Sequence, residues 1–208
     1  ALQPLKPMTR LLISTALMAE AVPIIDRYRL RKQAKQPGVH LFRGRDMDLL
    51  VCGIGAERMY DGIHRYFHTA DSRDIPYCLN FGIAGTRLHP IGELVWANRI
   101  GDRQIGLPDS VPDSRPLRVR SLDQPSTQYQ ADVLFDMEAE AWLASISENI
   151  QQFQPEHLFC AKVISDNPSS GIQGIDKKRV EVLVRSNIRP LGAALENIIK
   201  KHEDKSNK

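Results

Sequence analysis

The chain contains few aromatic residues and few cysteines for its length. Of its 208 residues, 6% are aromatic and only 3 are cysteines. Cys52, Cys78 and Cys160 all lie in or beside apolar runs. An odd number of thiols in apolar surroundings fits a reducing compartment better than a disulfide framework. We therefore expect a cytoplasmic protein whose cysteines belong to the core.

The sequence also lacks an apolar run long enough to cross a bilayer, and residues 1–10 lack the apolar centre of a signal peptide. We therefore expect no membrane partner. Residues 1–7 precede Met8 and a strand-like run, so we interpret them as a loose leader or an expression remnant. Hydrophobic residues make up 42% of the chain, which is enough for one large core. This predicts a single domain over residues 8–208.

Excess positive charge is small and partly confined to the end of the chain. The net charge is +3 and the isoelectric point is near 8.8. Part of the excess comes from a basic tail, which contains Lys200, Lys201, Lys205 and Lys208. No basic stripe is interleaved with aromatic residues, and no recognition module is visible. We expect no nucleic-acid partner.

Motifs for dinucleotides and for ATP phosphates are missing as well. Two glycine clusters, Gly53-Ile54-Gly55 and Gly82-Ile83-Ala84-Gly85, follow strand-like runs. Neither matches the dinucleotide fingerprint, and no phosphate loop is present. Glycine at such turns lets the backbone approach a small ligand, although a strand-to-helix turn needs small residues in any case. His64 and His68 have metal-ligand spacing but no evident third ligand. We expect neither an organic cofactor nor a metal.

What the chain does contain is an alternation of short β-rich runs and helical patterns. The predicted strands are Leu11–Thr15, Leu49–Cys52, Tyr77–Phe81, Leu94–Ala97, Leu117–Arg120, Val133–Phe135 and Leu158–Ile164. The predicted helices are Ala19–Lys32, Ala56–Phe67, Glu138–Gln151, Ile175–Arg185 and Leu191–Lys201. Residues 101–116 are predicted to form a loop, because prolines punctuate them. The order predicts an α/β sandwich with a mixed, mainly parallel sheet.

Carboxylates stand at the ends of two predicted strands. Asp136-Met137-Glu138-Ala139 follows one strand, and Ile164-Ser165-Asp166 closes another. Because parallel strands end in the crevice where α/β proteins bind ligands, both groups can face one substrate. This pattern favours an enzyme.

These segments, taken in order, resemble the nucleoside phosphorylase and nucleosidase superfamily, and within it the methylthioadenosine/S-adenosylhomocysteine nucleosidases. The segments that carry the resemblance are Ala16–Val22, Gly53-Ile54-Gly55, Asn80–Gly85, Ile91–Val95, Asp136–Ala139 and Ile164-Ser165-Asp166. The resemblance implies the three-layer α/β/α sandwich of that superfamily. It also implies hydrolysis of the N-glycosidic bond of a purine-type nucleoside, with a small-molecule substrate and a homodimer.

The resemblance further implies roles for particular residues. Asp166 would be the general acid that protonates the base, oriented by Ser165. Glu138 would bind the ribose hydroxyls while Met137 packs against the sugar, and Glu20 would activate the attacking water. Each carboxylate also has a structural interpretation: a turn or cap for Asp166, and acidic helix starts for Glu138 and Glu20.

The remaining substrate contacts would come from the second glycine cluster and from a loop. The expected contacts are Asn80, Gly82, Ile83, Ala84 and Gln124. The sequence departs from the family pattern at Ile83, where a serine is usual, and in a shortened segment between Gly92 and Asp136. Those departures leave open a non-catalytic nucleoside-binding relative.

A phosphorylase is the other alternative to a nucleosidase. Phosphorylases of this superfamily typically place an arginine near the position of Asn80, so the amide favours hydrolysis. Arg43, Arg45 and Arg87 remain candidates for a phosphate-binding site.

Overall fold

In the computed structural model, the described residues are 11–33, 38–69, 75, 77–111, 117–150 and 154–206. The strands in them are β1 (Leu11–Thr15), β2 (Arg31–Lys32), β3 (His40–Arg43), β4 (Met47–Val51), β5 (Tyr77–Thr86), β6 (Leu94–Ala97), β7 (Arg99–Ile100), β8 (Arg103–Gln104), β9 (Arg118–Ser121), β10 (Val133–Asp136) and β11 (Leu158–Asp166). The helices in them are α1 (Met18–Tyr28), α2 (Ala56–His68), α3 (Ala139–Asn149), α4 (Lys177–Ser186) and α5 (Ile188–Ser206), with a short 3-10 turn at Pro155–His157.

The strands form one mixed sheet of 11 strands. Its centre, in the order β4-β1-β5-β11, is parallel. Antiparallel pairs flank this centre, as in β3 with β4 and β6 with β11. The predicted mixed α/β sheet is confirmed, with its parallel part at the centre.

Strand β5 connects the two parts of the sheet. Along one edge, its first residues pair with β1 and its last two pair with β10, while its other edge pairs with β11. It is 10 residues long and almost entirely buried. The end of β5 therefore lies between the ends of β10 and β11.

Apolar side chains fill both faces of the sheet. One cluster joins the sheet to α2 and α3 through Met59, Ile63, Trp142 and Ile146. The other joins it to α1, α4 and α5 through Ile24, Val180, Val184, Leu191 and Leu195. Layers of helices thus cover both faces of the sheet, and the cysteines lie in the core as expected. Within the described residues no helix is long and apolar enough to span a membrane.

Several predicted bounds were wrong, and the structure gives the reason for each. Helix α1 ends at Tyr28 instead of Lys32, because Arg29 adopts a left-handed conformation with φ of 50° and its N–H bonds to the carbonyl of Ile25. The chain then forms β2, which pairs with the unpredicted strand β3. Strand β5 runs on through the glycine cluster to Thr86, because that segment keeps pairing with β11. Residues Arg103–Gln104 form β8 inside the predicted loop.

Candidate active site

A cavity of about 340 Å³ lies beside the end of β5, where β10 and β11 also end. Most of its wall is apolar. The residues that line it are Ala16, Leu17, Glu20, Ile54, Ile83, Ala84, Gly85, Leu122, Gln124, Pro125, Ser126, Phe135, Asp136, Met137, Glu138, Ser165, Asp166, Ile172 and Ile175. Such a concave, largely apolar site with a few polar groups is typical of small-molecule binding.

Most of the predicted site residues line this one cavity. They are Glu20, Ile83, Ala84, Gln124, Met137, Glu138, Ser165 and Asp166. Gly82 and Asn80 are not part of the lining. Gly82 lies against the side chain of Glu20, and the buried Asn80 bonds to Lys162.

The strand ends converge differently from the prediction. The sequence pattern predicts both carboxylate segments at the ends of parallel strands. Strand β11 does run parallel to β5, but β10 runs antiparallel to it. Asp136 and Asp166 come together because β10 and β11 approach the end of β5 from opposite directions.

Glu20 is buried at the start of α1, with a side chain that is 2% exposed. Its Oε2 accepts hydrogen bonds from the backbone N–H groups of Ala16 and Leu17, at 3.0 and 2.8 Å. Its Oε1 accepts one from the N–H of Ile83 at 3.0 Å. Burial raises the pKa of Glu20 to about 7, although these hydrogen bonds and the positive charge of Lys162 act in the opposite direction. Glu20 is therefore both a helix-start residue and a carboxyl able to exchange a proton near neutral pH.

The second glycine cluster makes room for carboxylates. A Cβ atom at Gly82 would lie 2.8 Å from Oε1 of Glu20, and one at Gly85 would collide with Oδ2 of Asp166. From the sequence, these glycines are expected to let the backbone approach a ligand. In the structure they instead allow two acidic side chains to lie against β5.

Glu138 is anchored at the start of α3. Its Oε1 accepts a hydrogen bond from the N–H of Gly55 at 2.7 Å, and its Oε2 accepts one from Met137 at 3.3 Å. Burial raises the pKa of Glu138, and repulsion from Asp136 raises it further, while Lys162 lowers it. The first glycine cluster therefore supplies a backbone donor that orients this carboxylate.

Asp136 belongs to the scaffold. Both of its oxygens accept from the N–H of Ala139, the first residue of α3, and its Oδ1 also accepts from the hydroxyl of Ser121 at 2.6 Å. Its Oδ2 forms an ion pair with Nζ of Lys162 at 2.7 Å.

Lys162 is a residue that the sequence analysis missed. It is 2% exposed in the middle of β11, and its Nζ also donates to Oδ1 of Asn80 at 2.7 Å. Burial lowers the pKa of Lys162, but the charge and hydrogen bond of Asp136, together with Cys160 and Glu138, raise it above its ordinary value, so the amine stays charged. The available signal was the lysine inside an apolar strand, since a buried charge must be paired.

Asp166 ends β11 with both carboxyl oxygens hydrogen-bonded. Oδ1 accepts from the hydroxyl of Ser165 at 2.5 Å, and Oδ2 accepts from the hydroxyl of Tyr129 at 2.7 Å. The side chain is 6% exposed and lines the cavity. Tyr129, which reaches in from the loop between β9 and β10, was also missed by the sequence analysis.

Three solved structures of similar fold come from two nucleosidases and a hydrolase. A 5'-methylthioadenosine nucleosidase of Arabidopsis thaliana matches with a TM-score of 0.67 and 15% identity, over 93% of this chain and 97% of that one. A 5'-methylthioadenosine/S-adenosylhomocysteine nucleosidase of Helicobacter pylori with butyl-thio-DADMe-Immucillin-A has a TM-score of 0.68 and 13% identity, over 92% and 99%. The chain has the methylthioadenosine nucleosidase fold. Futalosine hydrolase of Helicobacter pylori matches with a TM-score of 0.66 and 12% identity, over 93% and 98%. No protein-family model and no curated protein sequence matches the chain.

Within this nucleosidase fold, the candidate phosphate-binding arginines lie outside the cavity lining. Arg43 pairs with the buried Asp48 at 3.2 Å on β3 and β4. Arg45 lines a separate cavity with Tyr28, and Arg87 is exposed after β5. The described lining of the cavity contains no arginine.

Among the residues that the structure describes, no three or more His, Cys, Asp or Glu side chains are arranged to hold a metal ion. His64 and His68 stack on each other on α2, with ring centroids 4.1 Å apart. The polar side chains that line the cavity are carboxyls, hydroxyls and the amide of Gln124, and the buried amine of Lys162 pairs with one of these carboxyls, that of Asp136.

Proposed function

We propose that this chain hydrolyses the N-glycosidic bond of a purine-type nucleoside. One observation carries the proposal: Glu20, Glu138 and Asp166 come from separate elements and line a single apolar cavity. The similarity to nucleosidase structures supports it at the level of the fold. The apolar wall suits a purine and an apolar substituent on the sugar, with Ile54 and Ile172 exposed at the cavity.

In the proposed reaction, Glu20 is the base. A water molecule attacks the anomeric carbon of the sugar and gives its proton to Glu20. The pKa of about 7 places this carboxyl where a base for work near neutral pH is needed. The three backbone N–H groups hold it in one orientation, which fixes the position of the attacking water.

Asp166 and Glu138 act on the two sides of the bond that breaks. As the bond between sugar and base breaks, its electron pair moves to the purine, and Asp166 donates a proton to an imidazole nitrogen of the leaving base. Glu138 accepts hydrogen bonds from the ribose hydroxyls and stabilises the positive charge that develops on the sugar. Water and nucleoside are consumed, and free base and free sugar are produced.

Hydrolysis is favoured over phosphorolysis because the described cavity lining contains no arginine and Lys162 is paired with Asp136. A phosphate nucleophile would need a positively charged binding site of its own. The test is base release from a panel of purine nucleosides, including thio-substituted ones, with and without phosphate. Release of free sugar without phosphate supports the proposal. Strict phosphate dependence would make the protein a phosphorylase, and binding without release would make it a non-catalytic relative.

The role of Asp166 is tested by Asp166→Asn, which keeps the shape but cannot donate the proton. We expect turnover to fall by about 100- to 10,000-fold, the range typical of general acid catalysis, with substrate binding largely unchanged. Asp61→Asn, at an exposed position on α2, is the matched control. Unchanged turnover in Asp166→Asn would refute the assignment of the acid.

A further inference from the structure

The loop between β9 and β10 reaches across the cavity to the proposed acid. Leu122, Gln124, Pro125 and Ser126 of this loop line the cavity. Further along, Tyr129 donates a hydrogen bond from its hydroxyl to Oδ2 of Asp166 at 2.7 Å. The loop therefore contacts both the space for a ligand and the group proposed to act on it.

The hydrogen bond between Tyr129 and Asp166 joins residues 37 positions apart, and close packing holds the tyrosine ring in place. A Cβ atom at Gly85 would lie 3.0 Å from Cε1 of Tyr129, so the tyrosine ring lies directly against the glycine. On the other side of the carboxyl, Ser165 donates to Oδ1 and also lies 3.3 Å from the carbonyl oxygen of Ala84. Two hydroxyls from different elements thus hold the two oxygens of Asp166.

We propose that Tyr129 is a positioning residue that orients Asp166 and strengthens it as the acid that protonates the leaving base. This inference rests on the proposed function and deepens it. As Asp166 gives up its proton, negative charge grows on the carboxyl, and a hydrogen bond to a charged acceptor is stronger than one to a neutral acceptor. The bond from Tyr129 therefore gains strength along the reaction, which is the condition for an interaction to raise the rate.

The hydroxyl of Tyr129 remains a donor throughout the neutral range. Burial, followed by the hydrogen bond and the charge of Asp166, raises the pKa of Tyr129 above its ordinary value. The phenol consequently keeps its proton and takes no part in the proton transfer itself. Its effect passes entirely through Asp166.

The test compares wild type with Tyr129→Phe, which removes only the hydroxyl. Two substrates are used: a purine nucleoside that is cleaved by wild type, and a nitrophenyl riboside, whose leaving group departs without a proton. We expect kcat on the purine nucleoside to fall by about 10- to 100-fold, the loss of one hydrogen bond to a charged group. The nitrophenyl riboside should be cleaved at the wild-type rate.

The matched control is Tyr28→Phe, which removes a hydroxyl that donates to the carbonyl of Gly192, away from the cavity. It should change none of these quantities. If Tyr129→Phe loses kcat equally on both substrates, the role of Tyr129 is merely structural. If kcat on the purine nucleoside is unchanged, Tyr129 has no role in the reaction. A higher kcat/KM would show that the hydroxyl blocks Asp166, which also overturns the proposal. If wild type releases no base from any substrate, the proposed function fails and the role of Tyr129 falls with it.

Discussion

Burial of Glu20 should make the protein less stable as the pH rises. The carboxyl has a pKa of about 7 in the folded protein, against 4.5 when unperturbed. Between these values the unfolded chain ionises Glu20 while the folded chain keeps it neutral, so rising pH favours unfolding. By linkage, the raised pKa of Glu20 lowers the free energy of unfolding. This loss is absent below about pH 4.5 and reaches about 3 kcal/mol above pH 7.

The Glu20→Gln variant isolates this cost, because glutamine does not titrate. Other carboxyls also titrate in this range, so the quantity to follow is the difference in unfolding free energy between variant and wild type. Urea unfolding at pH 5, 6, 7 and 8 should show this difference moving in favour of the variant by about 2 kcal/mol. Glutamine has an NH₂ donor where glutamate has one of its two oxygen acceptors for backbone N–H groups. This change shifts the difference in unfolding free energy by an amount that does not depend on pH.

Glu57→Gln is the control, since Glu57 is also a first-turn glutamate but is exposed at the start of α2. The reasoning is refuted if the difference for Glu20→Gln is the same at pH 5 and pH 8, or if it moves in favour of wild type. Activity gives an independent measurement. Base release by wild type should rise with pH through about 7, because Glu20 must be ionised to accept a proton from water.

Three further substitutions follow from the contacts around the cavity. Gly82→Ala should lower kcat by about 10-fold or more, because the new Cβ would lie 2.8 Å from Oε1 of Glu20 and displace that carboxyl. Steady-state kinetics measure this loss, and a wild-type kcat would contradict the prediction. Glu138→Gln should raise KM and lower kcat, because a neutral amide stabilises the developing sugar charge less well; an effect confined to stability would oppose that role. Lys162→Met should destabilise the fold by about 3–5 kcal/mol in chemical unfolding, since it leaves Asp136 buried without its partner, and Asp136→Asn in the same chain should recover part of the loss.

The parts of the site that could be predicted are those fixed by position along a strand. Asp136 and Asp166 lie at the ends of their strands as predicted and both line the cavity, although β10 runs antiparallel to β5 instead of parallel. Glu20 was found through the family resemblance alone, since an acidic residue at a helix start is ordinary. Lys162 lies in an apolar run, and Tyr129 lies in a loop without periodicity. Their contacts depend on pairings between distant segments, which local patterns do not specify.

Errors in the fold prediction have the same origin. Helix α1 was extended too far because the sequence around Arg29 carries no glycine to announce its left-handed cap. Strand β5 was ended too early because glycines usually mark a turn. In both cases the tertiary pairing, with β3 in one and β11 in the other, decided the outcome.

The length of β5 has a consequence for how such a protein can change. The N–H of Ile83 holds Glu20, Gly85 lies against Asp166, and Phe135 of β10 pairs with Gly85. An insertion or deletion of one residue in this strand would turn every following side chain to the opposite face and disturb its contacts with Glu20, Asp166 and β10 at once. The loop between β9 and β10 has no strand pairing that fixes which way its side chains face. Over evolutionary time the ligand preference can drift through that loop, while the strand that fixes the acidic groups admits substitution only.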